Sequence, residues 1–330
     1  MNILIVGGAG YLGGAVTDLL ANSAHNLLVY DVLLYEETYR KKVPFVYGDI
    51  RDRGRLKKYL DWADVVVWLA ALVGDPACTL DEALTVEINK NSLQFLKDAF
   101  KGRIIFMSTC SVYGAQNDLL DETSPLNPLS LYAQTKQCAE EILADANALI
   151  FRLGTLHGIS DQFSRIRFDL VVNTLVMRAY VHNKINVFGG EQYRPMLHVR
   201  DAARAIVQAL SVPNTGIYNL RSENTTILDI AKLVKDHFPG VHLKITEAQF
   251  EDNRNYRVSC DKARDELGFD PIMTIEDGIT ELKEFLEAGR VKNSFLTRFS
   301  NYLYLRPLIT EYHSPLGKAI KHDLVTIQRS

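Results

Sequence analysis

Long apolar runs are missing from this 330-residue chain. No uninterrupted stretch approaches the roughly 20 residues that a membrane-crossing helix needs, so no span is expected. Lys and Arg are absent from the first thirty residues, and the apolar start breaks at Gly7. That leaves no basic region of the kind a secretory signal carries. Cysteine is scarce: four, at 78, 110, 138 and 260, with no CxxC pair and no framework spacing. Reduced thiols in a cytoplasmic protein are the plain expectation, and no metal site is expected. Excess charge is small too. With 37 basic and 40 acidic residues the net charge is −3, which predicts no general attraction for nucleic acid or an anionic membrane. Repeats and low-complexity tracts are absent.

What is present is enough apolar matter, 47% of residues, to fill one large core or two interlocked ones. Short apolar runs read as strands at 2–6, 26–31, 44–49, 64–71, 103–108 and 148–154. Helical patterns at 15–22, 80–100 and 131–145 lie between them. Strands without polar alternation, separated by helices, predict a parallel sheet covered on both faces. The fold class is therefore α/β, a Rossmann-type doubly wound sheet over residues 1–155. Beyond it the rhythm changes to helices at 169–182, 200–211 and 226–238, with short strands near 185–188, 217–220 and 241–246. These predict a smaller, mixed lobe over 156–289, woven from several segments, some of which return to the first domain. Residues 290–330 are basic and aromatic, with Arg298, Arg306, Lys318, Lys321, Phe299, Tyr302 and Tyr304 among them. They predict a terminal helix and arm packed on the lobe or on a neighbouring subunit.

The first strand runs into Gly7-Gly8-Ala9-Gly10-Tyr11-Leu12-Gly13 and then a helix. Gly8, Gly10 and Gly13 satisfy GxGxxG, and Gly7, Gly10 and Gly13 satisfy GxxGxxG. Glycines at this junction let the backbone turn and approach a pyrophosphate, which rests on the helix N-terminus. Asp31 ends the second strand, near the offset at which a carboxylate takes the adenosine ribose hydroxyls. No Lys or Arg stands in 32–35 to receive a 2′-phosphate. The reading is NAD rather than NADP.

A second constellation joins the stretch FMSTCSVYG (106–114) to Tyr132-Ala-Gln-Thr-Lys136. Tyr132 and Lys136, at i and i+4, share one helix face. Tyrosine titrates near 10, and a lysine ammonium with a nicotinamide cation nearby would favour its phenolate. Thr109, ending the preceding strand, is placed to hold the substrate oxygen, with Ser108, Cys110 and Ser111 shaping the pocket floor.

Glycine loop, acidic strand end, hydroxyl-rich strand end and YxxxK, in that order, resemble the extended short-chain dehydrogenase/reductase family of NAD-dependent nucleotide-sugar epimerases and dehydratases. The resemblance runs from residue 1 to about 287 and rests on GGAGYLGG, VYD, GDI, LAA, STCSVYG, YAQTK, RPMLHVRDAARAI, YNL and DNRNYRV. It implies Thr109, Tyr132 and Lys136 as the catalytic set. It implies Gly7, Gly10, Tyr11, Leu12, Asp31, Asp49, Ile50, Leu69, Ala70 and Ala71 around NAD, with Tyr132 and Lys136. It implies Arg194 and Arg254 on the diphosphate of a nucleoside-diphosphate sugar, as guanidinium forks suit, and a homodimer.

Departures from the family pattern narrow the reaction. Its 4,6-dehydratases carry Asp-Glu directly after the threonine, where this chain has Cys110 and Ser111. Its 3,5-epimerases carry cysteine at the place of Ser111, one step from Cys110, and one step along an extended chain reverses the side chain. Cys110 is read as packed. Asp169 falls where an asparagine contacts the diphosphate, with Asn173 close enough to take that place, and Asp169 can instead join Arg165 or Arg167 in an ion network. Thr155 replaces an asparagine near the phosphates. His157 is read as a satisfied buried histidine and His198 as structural. The expected chemistry is oxidation at C4 of the sugar, by a 4-epimerase or a 4-dehydrogenase/ketoreductase, with a dehydratase, a 3,5-epimerase or a non-catalytic NAD-binding sensor as rivals.

Overall fold

The computed structural model describes residues 1–246 and 254–312. Its centre is a seven-stranded parallel sheet. From one edge to the other the strands are Gly216–Leu220, Ala148–Leu153, Arg103–Thr109, Val65–Trp68, Asn2–Val6, Asn26–Asp31 and Phe45–Tyr47. Alternate residues of these strands fall into two separate cores. Ile3, Ile5, Val65, Val67, Ile105 and Phe151 fill one face, and Leu4, Val66, Trp68, Ile104, Phe106 and Ile150 the other. Burial on both faces is why the strands carry no polar alternation. The order reverses between the strands at Asn2–Val6 and Val65–Trp68, which opens a crevice at their carboxyl ends.

The smaller lobe has its own core, built by helices Val171–His182, Ile227–His237 and Ile275–Glu287 around strand Lys184–Phe188. Strand Tyr193–His198 pairs with Thr155–His157 on one side and Glu223–Thr226 on the other. Ala115–Leu120 pairs with Asn255–Val258, which brings the DxRxY region beside the end of the strand Arg103–Thr109. Asp252 and Asn253 of that region, like Lys318 and Lys321 of the basic tail, lie outside the described residues.

Two elements differ from the pattern reading. The first helix is Tyr11–Leu20 rather than 15–22, because Gly10 caps it and two of its first four residues are glycine, which hides the helical period. The long helix expected over 80–100 is three pieces: Glu82–Val86, a π-helical turn Glu87–Asn91, and Ser92–Ala99. The π turn aims buried Asn89 at Leu72, whose N–H and carbonyl it both engages at 2.9 Å. Strand Gly216–Leu220 is one of the segments that return to the first domain, pairing with Ala148–Leu153 in the central sheet.

Candidate active site

A cavity of about 1080 Å³ occupies the crevice, larger than the roughly 300–1,000 Å³ of a site for one small ligand. Its floor is the carboxyl edge of the sheet: Gly7, Asp31, Ile50, Leu69, Thr109 and Gly154 all line it.

The glycine loop fits a dinucleotide. Gly7 has φ +85°, and a Cβ there would lie 2.5 Å from the amide nitrogen of Ala70. Gly13 packs as tightly on Gly8, with a Cβ meeting the Gly8 Cα at 2.6 Å. Among the described residues no side chain caps the helix at Gly10, and Gly10, Tyr11, Leu12 and Gly13 line the cavity, as suits an anion at a helix N-terminus. The Asp31 carboxylate accepts from the N–H of Ala9 at 3.0 Å and of Leu33 at 2.7 Å. Burial raises its pKa, and those N–H groups pull it back. Two N–H bonds leave carboxylate lone pairs for ribose hydroxyls. Leu12, Asp49, Ala70 and Ala71 also line the cavity. Asp49 is paired with Arg51, whose Nε lies 2.9 Å from Oδ2. Tyr11 lines the cavity too, but its hydroxyl is committed to the Gly158 carbonyl at 2.6 Å.

The helix Leu131–Leu143 carries the next group. Ser130 caps it by accepting the Ala133 N–H, and donates its own proton to Asp75 at 2.6 Å. Tyr132 and Thr109 both line the cavity, and the Thr109 side chain is near enough to lower the tyrosine's pKa slightly. Lys136 donates to the Met107 carbonyl at 2.7 Å and sits 4.7 Å from the Phe106 ring centre. Thr109, Tyr132 and Lys136 thus meet at the cavity wall. The electrostatics differ from the simple expectation. Burial raises the Tyr132 pKa well above the ordinary tyrosine value, Cys78 and Asp75 add to that, and Arg167 and Thr109 only partly oppose it. Burial also lowers Lys136 to about 8. Lys136 spends its proton on a backbone carbonyl, and the protein by itself holds the tyrosine neutral.

Beneath this group lies an ion pair that motif reading missed. Arg152 binds the Glu140 carboxylate in a two-pronged contact at 2.7 and 3.0 Å, and both side chains are 3% exposed. Ser108 donates to the same carboxylate, and Arg152 also donates to the Tyr113 hydroxyl at 2.8 Å. An arginine inside the apolar strand ALIFRL was the visible signal.

At the far side Arg194 and Arg254 both line the cavity. Arg194 donates to the Arg254 carbonyl and lies over the Tyr256 ring. Arg254 pairs with Asp75 at 3.0 Å and reaches Ser111 Oγ at 3.4 Å. Ser111 in turn shares a hydrogen bond with the Tyr256 hydroxyl at 3.2 Å. Asp169 lines the cavity paired to Arg167 at 3.0 Å.

Three expectations need correction. Asn173 is fully buried and away from the cavity; its Oδ1 accepts the Gly158 N–H at 3.0 Å, so it braces a turn. Cys110 does not reach the pocket floor. Its strand turns into the helical turn Cys110–Tyr113, and the thiol packs inward against the Arg152 carbonyl at 3.2 Å. Ser108, by contrast, does line the cavity, with its hydroxyl turned to Glu140. His157 is buried with no hydrogen-bond partner for either ring nitrogen among the described residues. Burial, then His198, takes its pKa down to about 3, so it is neutral rather than satisfied. His198 bonds Glu281 at 2.8 Å, far from the trio.

The model of the NAD dependent epimerase/dehydratase family matches residues 3–220. The chain belongs to that family. A UDP-glucose 4-epimerase of Rhizobium meliloti is 30% identical over 313 residues, 82% of this chain and 92% of that protein. A dTDP-glucose 4,6-dehydratase of Actinoplanes sp. is 26% identical, over 88% of this chain and 99% of its own. The solved UDP-glucuronic acid 4-epimerase from Bacillus cereus, in complex with UDP-glucuronic acid and NAD, superposes with a TM-score of 0.75 at 25% identity. It covers 87% of this chain and 99% of that one. The family is one of NAD-dependent enzymes acting on nucleotide sugars, and the chain is an enzyme of this kind.

Proposed function

We propose that this enzyme oxidises C4 of a nucleoside-diphosphate sugar. One observation carries the reading: Thr109, Tyr132 and Lys136 lie on the wall of a single cavity that also receives Arg194 and Arg254. Gly7, Gly10, Leu12, Asp31, Ile50, Ala70 and Lys136 would hold NAD. When bound, NAD supplies the ring that accepts and returns a hydride and a positive charge beside the tyrosine. Thr109 orients the C4 hydroxyl by hydrogen bonding, and Tyr132 takes its proton. Arg194 and Arg254 hold the diphosphate, so the sugar swings while its anchor stays fixed. Re-reduction from the other face yields the 4-epimer, and release yields the 4-keto sugar.

Incubating the purified protein with UDP- and dTDP-hexoses tests this. Absorbance at 340 nm reports transient or net reduction of NAD, and proton NMR of the product reports inversion at C4. A panel that yields neither signal rejects the reading. A cytoplasmic homodimer completes the proposal. It is supported by the free thiols of Cys78, Cys110, Cys138 and Cys260 and by the family resemblance, and light scattering checks the dimer.

A further inference from the structure

The comparisons cover nearly all of the related proteins while leaving part of this chain outside the match. The helix Asn301–Tyr312 follows the last helix of the lobe, yet it does not simply coat that lobe. Its first residue is pinned from three directions. The Asn301 side chain donates to the Val73 carbonyl at 2.8 Å and accepts from Arg165, and its N–H donates to Asp169 at 2.8 Å. Just before it, Arg298 bonds Glu36 at 2.9 Å, and its carbonyl accepts from Arg165 at 2.8 Å. These ties bind the segment to loops after the second and fourth strands and to the lobe at once, so it crosses the cleft.

From that anchor the helix turns an apolar face to the site. Leu305 is 3% exposed, buried with Leu72, Ala77 and Cys78, and Tyr132 packs against the same cluster. Leu308 lines the cavity, as do Leu72, Leu84 and Ile88 from the segment after the fourth strand. This helix and the segment after the fourth strand therefore present branched aliphatic side chains on one side of the reacting tyrosine, opposite the polar group of Thr109 and Asp75 and in contrast to the arginines at the diphosphate end. A sugar methyl laid against that aliphatic side gains burial, whereas a hydroxyl laid there loses water without a side-chain acceptor among these leucines and isoleucine.

We propose that this helix is a fixed wall of the sugar pocket, with Leu305 and Leu308 selecting a nucleotide sugar that bears an apolar substituent, a deoxy or acyl methyl, over a fully hydroxylated hexose. The proposal rests on the C4 reading above. Its test compares kcat/KM of the full-length protein with NAD on UDP-glucose, its 6-deoxy analogue and UDP-N-acetylglucosamine. The wild type is expected to favour at least one methyl-bearing sugar by roughly 10-fold or more, the scale on which an apolar pocket discriminates. Leu308→Asn, at a half-buried position, should collapse that ratio towards one while leaving NAD affinity and melting temperature in place. Turnover without preference, or a preference that survives Leu308→Asn, overturns the wall and leaves the C4 reading standing. No turnover of any of the three by the wild type, nor of their dTDP counterparts, overturns both.

Discussion

Tyr132 is held neutral by its own surroundings, so its value as a base depends on what binds beside it. Tyr132→Phe keeps the ring packed against Leu72 and Leu305 and removes only the hydroxyl. The expected result is a loss in kcat of roughly 10²–10⁴-fold, with NAD affinity unchanged, by steady-state kinetics and calorimetry. Lys136 makes a different demand. Its pKa is lowered by burial from 10.5 to about 8, so below pH 8 the folded protein carries the full cost of a buried ammonium, about 3 kcal/mol. Between pH 8 and 10.5 the unfolded chain holds the extra proton, and that cost is relieved as pH rises. In NAD-free protein, Lys136→Met should therefore be more stable than the wild type at pH 7, with the gap narrowing by pH 10 in urea unfolding. A gap that does not move with pH would mean that the ammonium is solvated. Cys110 and Ser111 raise a third point. Burial pushes the Cys110 thiol far up, and Ser111 is shared between Tyr256 and Arg254. Neither can drive elimination across C5 and C6, so turnover in deuterated water should leave C6 free of solvent deuterium by NMR. Deuterium there with loss of water would make the enzyme a dehydratase.

At the scale of elements, the helix Leu131–Leu143 is positioned from below by a charge pair with no water to screen it. Arg152→Met removes one partner and strands the Glu140 carboxylate in the core, which should cost about 3–5 kcal/mol. Denaturant unfolding measures it, and the double variant Arg152→Met/Glu140→Leu should recover most of the loss. The helix itself and the five strands of ordinary length were legible beforehand because their signals are local: an apolar run, a 3.6-residue period. The glycine loop and YxxxK were legible for the same reason. What escaped was non-local. Glu140 and Arg152 look like a surface acid and an odd base until two elements stack. Asn173 looks available to a diphosphate until the turn at Gly158 claims it. The π turn at Glu87–Asn91 has no sequence signature.

Across the whole molecule the cavity is divided by chemistry: amide-lined and acidic at the glycine loop, aliphatic at Tyr132, cationic at Arg194 and Arg254. That division makes the two ligands separable. Arg254 is held over the crevice by Asp75 and Ser111, remote in sequence from the glycine loop and carried by the strand pairing of Ala115–Leu120 with Asn255–Val258. Arg254→Ala should raise KM for the sugar nucleotide about 10- to 100-fold, the worth of a charge-assisted bond, with the Kd for NAD unchanged. Part of that loss comes from what the arginine leaves behind. Asp75, no longer paired with it, would repel the incoming diphosphate, so Asp75→Asn in the Arg254→Ala background should recover some of the affinity, in contrast to its effect alone. Steady-state kinetics on the two single variants and the double close the cycle. If Arg254→Ala weakens NAD instead, the cationic end of the cavity belongs to the cofactor and the two halves of the site are reversed.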